Sequence, residues 1–253
     1  MLPTSEILAT WKKFDDFPMD TLTKAWYYHQ SDGKKQRSVE LMREHRSKLG
    51  VTGNCFDLAF WLLDEFKKDG VVAYPVGHDI DNDGAHVAVL AVNEKGNRFL
   101  CDLGDQWLTP ILIDSNSEDF SEEVLSGFFP GAKVQVKTVE RGIEVLYHRP
   151  NGKISKQTYN LEPIPPDVLL NAAERSQNNI YPKPLLECRL PYKNEIAHWE
   201  FYNWESFLST NHGLYPDSPL STVDAWVERI HQKTGYDRKF LYDSLKIYRD
   251  LGE

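Results

Sequence analysis

The spacing of apolar side chains changes twice along the chain. Up to about residue 70 it follows the helical period. Ile7, Leu8 and Trp11 follow the capping candidates Thr4 and Ser5, a second run covers Thr21 to His29, and a polar, basic run extends from about Ser38 to Leu49. A fourth helix is predicted to start near Asn54, with Leu58, Ala59, Leu62, Leu63 and Phe66 on one stripe. Lys67 and Lys68 fall at its negative end, and Gly70 is placed to cap it.

From Val71 the period is two. "VVAYPV" (71–76), "HVAVLAV" (86–92) and "RFLCDL" (98–103) predict strands, with "NEKGN" (93–97) as a hairpin loop. "AKVQVKTV" (132–139), "IEVLYHR" (143–149) and "ISKQTYNL" (154–161) predict a meander broken at Arg141-Gly142 and "PNGK". Beyond "PIPP" the pattern mixes: a short helix near 166–176, an extended "PLLECRL", and two helices at about 221–233 and 236–250. The fold class is therefore α+β. An N-terminal helical bundle (1–70) precedes a central antiparallel β-barrel or sheet (71–162) and a mixed C-terminal α/β lobe (163–253). No internal repeat or low-complexity linker interrupts this order, and nothing in the chain specifies an oligomeric state.

Composition narrows the function classes. The 253 residues, 41% hydrophobic and 12% aromatic, suffice for a substantial core. A formal charge of −9 argues against a nucleic-acid partner, and "GKKQRS" (33–38) reads as a solvated loop. No run approaches the roughly 18 consecutive apolar residues that cross a bilayer. The N-terminus lacks the basic start and long apolar stretch of a secretory signal. Cys55, Cys101 and Cys188 are odd in number and widely spaced, so neither a disulfide framework nor a CxxC zinc site is indicated. A cytoplasmic location is expected, which leaves Cys55 a free thiol.

Three polar residues stand where the apolar pattern does not need them. Cys55 leads the fourth helix, His86 opens a nearly all-aliphatic strand, and Asp102 follows Leu100 and Cys101 in the next strand. A carboxylate there is costly unless something pairs with it. A five-residue loop from Asn93 to Asn97 pairs Val92 with Arg98 and Ala88 with Asp102. His86 then becomes the diagonal neighbour of Asp102 on one face, within side-chain reach. A two-residue loop would put the two on opposite faces; Gly96 suits the longer one.

Chemistry assigns roles to the three. A free thiol, with pKa about 8.5, becomes nucleophilic as a thiolate, which a helix N-terminus and a neighbouring imidazolium favour. Asn54 as cap and Asp57 at the third helical position place Cys55 in the first turn. An aspartate orients the imidazole and stabilises its charged form, and backbone N–H groups around Cys55 can furnish part of an oxyanion hole. The bland alternative is a small hydrophobic cysteine, a capping histidine and an aspartate in a turn.

Those residues also resemble a known family. "TGNCFDL", "GAHVAVLAV" and "FLCDLGDQWLTPIL" are similar in order and spacing to the Cys, His and Asp motifs of the arylamine N-acetyltransferases. "YNLEPIPPDVL" and "NNIYPKPLLECRL" resemble that family's tyrosine-led strand and its following loop and strand. The resemblance implies ping-pong acyl transfer, with acetyl-CoA as donor and an arylamine or hydrazine as acceptor. It implies Cys55 as nucleophile, His86 as base and Asp102 as orienter; no metal is expected. Two segments depart from the family pattern. Val51, Thr52 and Gly53 stand where an Arg-Gly-Gly is usual, whose arginine pairs with an acid at the position of Asp57. Asp105 and Gln106 replace a Phe-Gly that walls the acceptor pocket, which makes a cationic or polar acceptor a better fit than a flat arylamine. Transglutaminase-like and cysteine-peptidase-like domains share the triad order and act on protein amides; a catalytically silent binding relative is a third reading.

Other signals are weaker. "DIDNDG" (79–84) begins like a calcium loop, but the position of the bidentate acid falls on Leu90, so a solvated acidic turn is expected. The aromatic cluster "HWEFYNW" (198–204) is read as core packing of the third lobe, with an acceptor cleft as the alternative. His78 and His148 read as ordinary strand or surface histidines, and Cys101 and Cys188 as core. Lys133, Lys137, Arg141 and Lys153 are cations available to the phosphates of coenzyme A. No P-loop, GxGxxG, GxSxG or HExxH occurs.

Overall fold

A computed structural model describes residues 2–30 and 33–252; Met1, Ser31, Asp32 and Glu253, which the expected lobes include, lie outside the described residues. The first elements are α1 (Ser5–Lys12), β1 (Met19–Asp20), α2 (Leu22–Tyr28), α3 (Val39–Leu49) and α4 (Cys55–Lys68). Strands β2 (Val72–His78), β3 (His86–Val92), β4 (Arg98–Cys101), β5 (Ile111–Leu112), β6 (Leu125–Phe129), β7 (Ala132–Val139), β8 (Gly142–His148) and β9 (Ile154–Asn160) follow. After α5 (Pro166–Asn178) come β10 (Leu185–Tyr192), β11 (Glu195–Tyr202), β12 (Glu205–Thr210), β13 (Gly213–Pro216), α6 (Val223–Thr234) and α7 (Arg238–Gly252).

The strands form an eight-stranded sheet in the order β5-β4-β3-β2-β9-β8-β7-β6 and a five-stranded sheet in the order β1-β10-β11-β12-β13. Every pairing is antiparallel. The α+β class and the central sheet follow the periodicity. Two cores result. Helices α1 and α4 pack with the large sheet around Phe56, Phe66, Leu90 and Phe99, whereas α2 joins α6, α7 and the smaller sheet around Trp199, Phe201 and Leu241. The N-terminal helices are thus shared between the two cores, and β1, too short for any periodicity, extends the C-terminal sheet by pairing with β10.

Helix α4 starts where its cap requires. The Asn54 side chain accepts from the N–H groups of Phe56 (3.1 Å) and Asp57 (3.2 Å), and Asp57 Oδ2 accepts from Asn54 N–H (3.3 Å). This reciprocal box satisfies donors that a helix start leaves orphaned. It fixes Cys55 as the first helical residue. One expectation is corrected: β4 ends at Cys101, so Asp102 lies in the turn beyond the strand, where the Trp107 N–H bonds its carbonyl at 3.2 Å.

Candidate active site

Residues 98–101 pair with 89–92 in the register that a five-residue loop dictates: Val92 faces Arg98 and Val89 faces Cys101. Continued one step past the ladder, that register aims the Asp102 carboxylate at His86. Asp102 Oδ2 lies 2.7 Å from His86 Nε2, and the aspartate is fully buried. Tyr159 donates its hydroxyl to the same oxygen at 2.7 Å, and the Asp105 N–H donates to Oδ1 at 3.0 Å. These partners offset the cost of burying a carboxylate.

The half-buried Cys55 lies beside the imidazole, whose Nε2 is turned to Asp102. Gly104 makes this approach possible. A Cβ there would lie 2.8 Å from Cys55 Cβ, 2.9 Å from His86 Cε1 and 3.2 Å from Asp102 Oδ1, so a side chain at 104 would wedge the three apart. His78 stacks on His86 with ring centroids 5.5 Å apart, and Tyr159 meets it edge-on at 6.2 Å. The sequence marks His78 only as an ordinary strand or surface histidine, and Tyr159 only as the head of the segment that resembles the family's tyrosine-led strand.

Electrostatics favour a protonated imidazole. Burial works against its charge, but the Asp102 and Asp105 carboxylates, the hydrogen bond that the ring donates to Asp102 and the neighbouring Cys55 outweigh burial and hold the His86 pKa well above its ordinary value. Burial likewise pushes Asp102 up, and the charge and hydrogen bond of His86, with the Tyr159 hydroxyl, bring it below the usual carboxylate range. Asp105 behaves oppositely. Burial and the neighbouring Asp102 charge raise it to about 6, although His86 lies 3.9 Å away and Tyr147 donates to it at 2.9 Å.

The expectation of a solvated loop at 33–38 is overturned at Arg37. Its guanidinium pairs with Asp57 at 2.9 Å, and the two side chains are only 2% and 1% exposed. Arg37 also donates to the Thr52 carbonyl, and Gln36 Nε2 donates to the other Asp57 oxygen at 2.8 Å. Glu174 of α5 accepts from the N–H groups of Lys35 (2.6 Å) and Gln36 (2.9 Å), and Gln177 bonds both Gln36 (3.0 Å) and Asn54 (3.3 Å). The acid in the first turn of α4 therefore keeps an arginine partner, supplied from twenty residues upstream. Gly53, at φ +148°, admits it: a Cβ there would collide with both the Asp57 carboxylate and the Arg37 guanidinium.

A cavity of about 370 Å³ opens beside His86, reached by His78 and Asp105 and walled by Tyr147, Arg149, Glu187 and His198. Strand alternation divides the aromatic cluster 198–204 between its two readings. Trp199 and Phe201 are fully buried in the second core, while His198 and Glu200, on the other face of β11, line the cavity. Cys101 and Cys188 are buried, and burial pushes both thiols well up. Lys133 lines a groove with His148 and Arg149, and Arg141 lines two others near β9.

His86, Asp102 and Asp105 bring possible ligand atoms within 4.8 Å of one another, the one such cluster among the described residues. A cation fits it poorly, because Nε2 and Tyr159 already share Asp102 Oδ2 and Tyr147 holds Asp105. The acidic turn at 79–84 is engaged with itself, Asp79 bonding His78 and Asn82. No helix among the described residues is long and apolar enough to cross a membrane.

No protein-family profile matches the chain, and no curated protein sequence does so either. Solved structures do. The arylamine N-acetyltransferase of Mycobacterium marinum, in complex with CoA, superposes with a TM-score of 0.75 at 10% identity, over 98% of this chain and 94% of that one. The enzymes of M. tuberculosis (0.72, 12% identity, 98% and 93% covered) and Salmonella typhimurium (0.70, 12% identity, 98% and 99% covered) are similar over the same extent. The chain has the arylamine N-acetyltransferase fold over nearly its whole length. Its sequence has diverged far beyond the range in which that likeness extends past the fold.

Proposed function

We propose that this protein is an acyltransferase that moves an acetyl group from acetyl-CoA through a Cys55 thioester to an amine. The observation that supports the proposal is the 2.7 Å bond between His86 and the buried Asp102 carboxylate, with Cys55 and His86 both lying close against Gly104. The CoA-bound M. marinum structure of the same fold supports the donor.

In the first half-reaction the thiol proton resides on His86, stabilised by Asp102. The Cys55 thiolate attacks the acetyl carbonyl, the bond from that carbon to the coenzyme A sulfur breaks, and the departing thiolate takes the proton from His86. In the second, a neutral amine attacks the Cys55 thioester. The carbon–sulfur bond breaks, Cys55 leaves as thiolate, and the amine's proton passes to His86. The α4 N-terminus favours negative charge at sulfur throughout. Retention of a buried arginine against Asp57 argues against a silent relative, since it keeps the nucleophile's turn braced despite the altered sequence before Cys55. Three free cysteines suit a reducing, cytoplasmic compartment.

Mixing with acetyl-CoA alone tests the proposal. A burst of coenzyme A thiol equal to the enzyme concentration is expected, and Cys55→Ser abolishes it. Absence of a burst in the wild-type protein contradicts it.

A further inference from the structure

One wall of the cavity beside His86 does something that acetyl transfer to a simple amine does not need. Glu187 of β10 and Glu200 of β11 are direct cross-strand partners, and both line the cavity. Like charges so placed repel. Among the described residues neither is paired with a lysine or arginine, and His198 Nε2 lies 3.7 Å from Glu187 Oε1. His198 is 4% exposed, lines the same cavity, and has no hydrogen bond at Nδ1 or Nε2. A buried ring with both nitrogens unanswered is a costly feature, and this one lines the cavity together with the two glutamates.

The charges on the other walls do not answer these groups. Asp105 adds a third acid. Lys156 is engaged with Glu144 at 2.7 Å, which leaves Arg149 as the one cation without an ion pair among the described residues of the lining, against three acids. Burial first, then the charges of Glu200 and Asp105, hold Glu187 well above the usual carboxylate range, with His86 and Arg149 acting the other way. Burial and the Arg149 and Arg189 charges lower His198 to about 3, so its ring is a neutral acceptor at physiological pH.

We propose that Glu187, Glu200 and His198 seat a protonated amino group of the acceptor, so that the substrate class is a short aliphatic diamine rather than a flat arylamine. The inference rests on the acetyl-transfer reading for its second half. One nitrogen, neutral, attacks the Cys55 thioester, whose carbon–sulfur bond breaks while the proton goes to His86. The other nitrogen stays an ammonium, donates to the two carboxylates and to His198, and takes no part in bond making. The cavity volume of about 370 Å³ accommodates a chain of this size, and Asp105 on its wall lies 3.9 Å from His86.

Calorimetry on the non-acylated protein separates this site from the chemistry. 1,4-Diaminobutane should bind about tenfold or more tightly than 1,4-butanediol, its neutral isostere, the advantage that charge-assisted bonds to a buried carboxylate confer. It should release protons to buffer on binding, and the preference should fall to within about twofold in Glu187→Gln and Glu200→Gln. The acetyl-enzyme, prepared with acetyl-CoA, should lose its acetyl group to the diamine about tenfold faster than to butylamine at equal neutral amine. Equal binding of the diamine and the diol by the wild-type protein overturns the site, whether or not the acetyl-enzyme forms and even if the variants fail to fold. Selective binding without any acetyl-enzyme sustains the ammonium site and overturns acetyl transfer instead. A diamine preference unchanged in both folded variants also overturns the assignment, because a merely structural pair of glutamates leaves that ratio unmoved.

Discussion

The Asp102 carboxylate is the residue on which the site turns, because it is fully buried and spends both oxygens on His86, Tyr159 and the backbone of Asp105. Asp102→Asn keeps the shape but presents an amide to the imidazole and removes the charge that sustains its protonated form. Thioester formation should fall by about 10³–10⁴-fold, as for other orienting aspartates. Single-turnover acylation, with circular dichroism as a check on folding, measures it. Asp105 predicts a pH dependence. Titrating at about 6, it is charged above that value and supports the His86 imidazolium; below it, it is neutral and the support is lost. Acylation should therefore decline as pH falls through about 6, and Asp105→Asn should remove that limb. A wild-type pH profile flat between 5 and 7 contradicts the assignment. At this scale Cys55, His86 and Asp102 were legible in the sequence because each breaks an apolar pattern. Glu187 was not, and His198 and Glu200 entered only through the alternative reading of the 198–204 cluster as an acceptor cleft, since alternating polar residues on a strand look like an ordinary solvated face until the other sheet is placed over them.

At the scale of elements, the start of α4 is held by two devices of different origin. The Asn54–Asp57 box is local, four consecutive residues, and could be read directly. The Arg37–Asp57 pair is tertiary, and its arginine sits in a basic run that has every mark of a solvent-facing loop. Removing it leaves Asp57 buried and uncompensated, so Arg37→Met should destabilise the protein by about 3–5 kcal/mol. Adding Asp57→Asn to Arg37→Met should restore a large part of that loss, which urea unfolding of the single and double variants will show. The hairpin from β3 to β4 was legible to the residue, because a five-residue loop fixes which partners share a face. The hairpins joining β10 to β11 and β11 to β12 were not. Their turns place Lys193, and Asn203 with Trp204, at positive φ without a glycine to mark them.

For the whole molecule, the two cores meet behind the nucleophile. Tyr236, which precedes α7, donates its hydroxyl to the buried Asp20 at 2.8 Å and lies 2.5 Å from Thr52 Oγ1, three residues before Cys55. Thr52 in turn donates to the Pro18 carbonyl at 2.6 Å. Tyr236→Phe strips a donor from a buried carboxylate and should cost about 1–3 kcal/mol. Through the Thr52 segment it should also slow acylation, an effect that a stability assay alone will not register. This long-range coupling had no sequence signal, because Asp20, Thr52 and Tyr236 are far apart in the chain and each is unremarkable alone. The order of helices, sheet and mixed lobe was legible from periodicity, and the likeness to acetyltransferase structures over nearly the whole chain bears it out. The measurement that tests the central claim most directly is intact and peptide mass after incubation with acetyl-CoA and no acceptor. One added acetyl group on the peptide that carries Cys55, removed by a subsequent amine, is the predicted result; an unmodified Cys55 in a folded protein contradicts it.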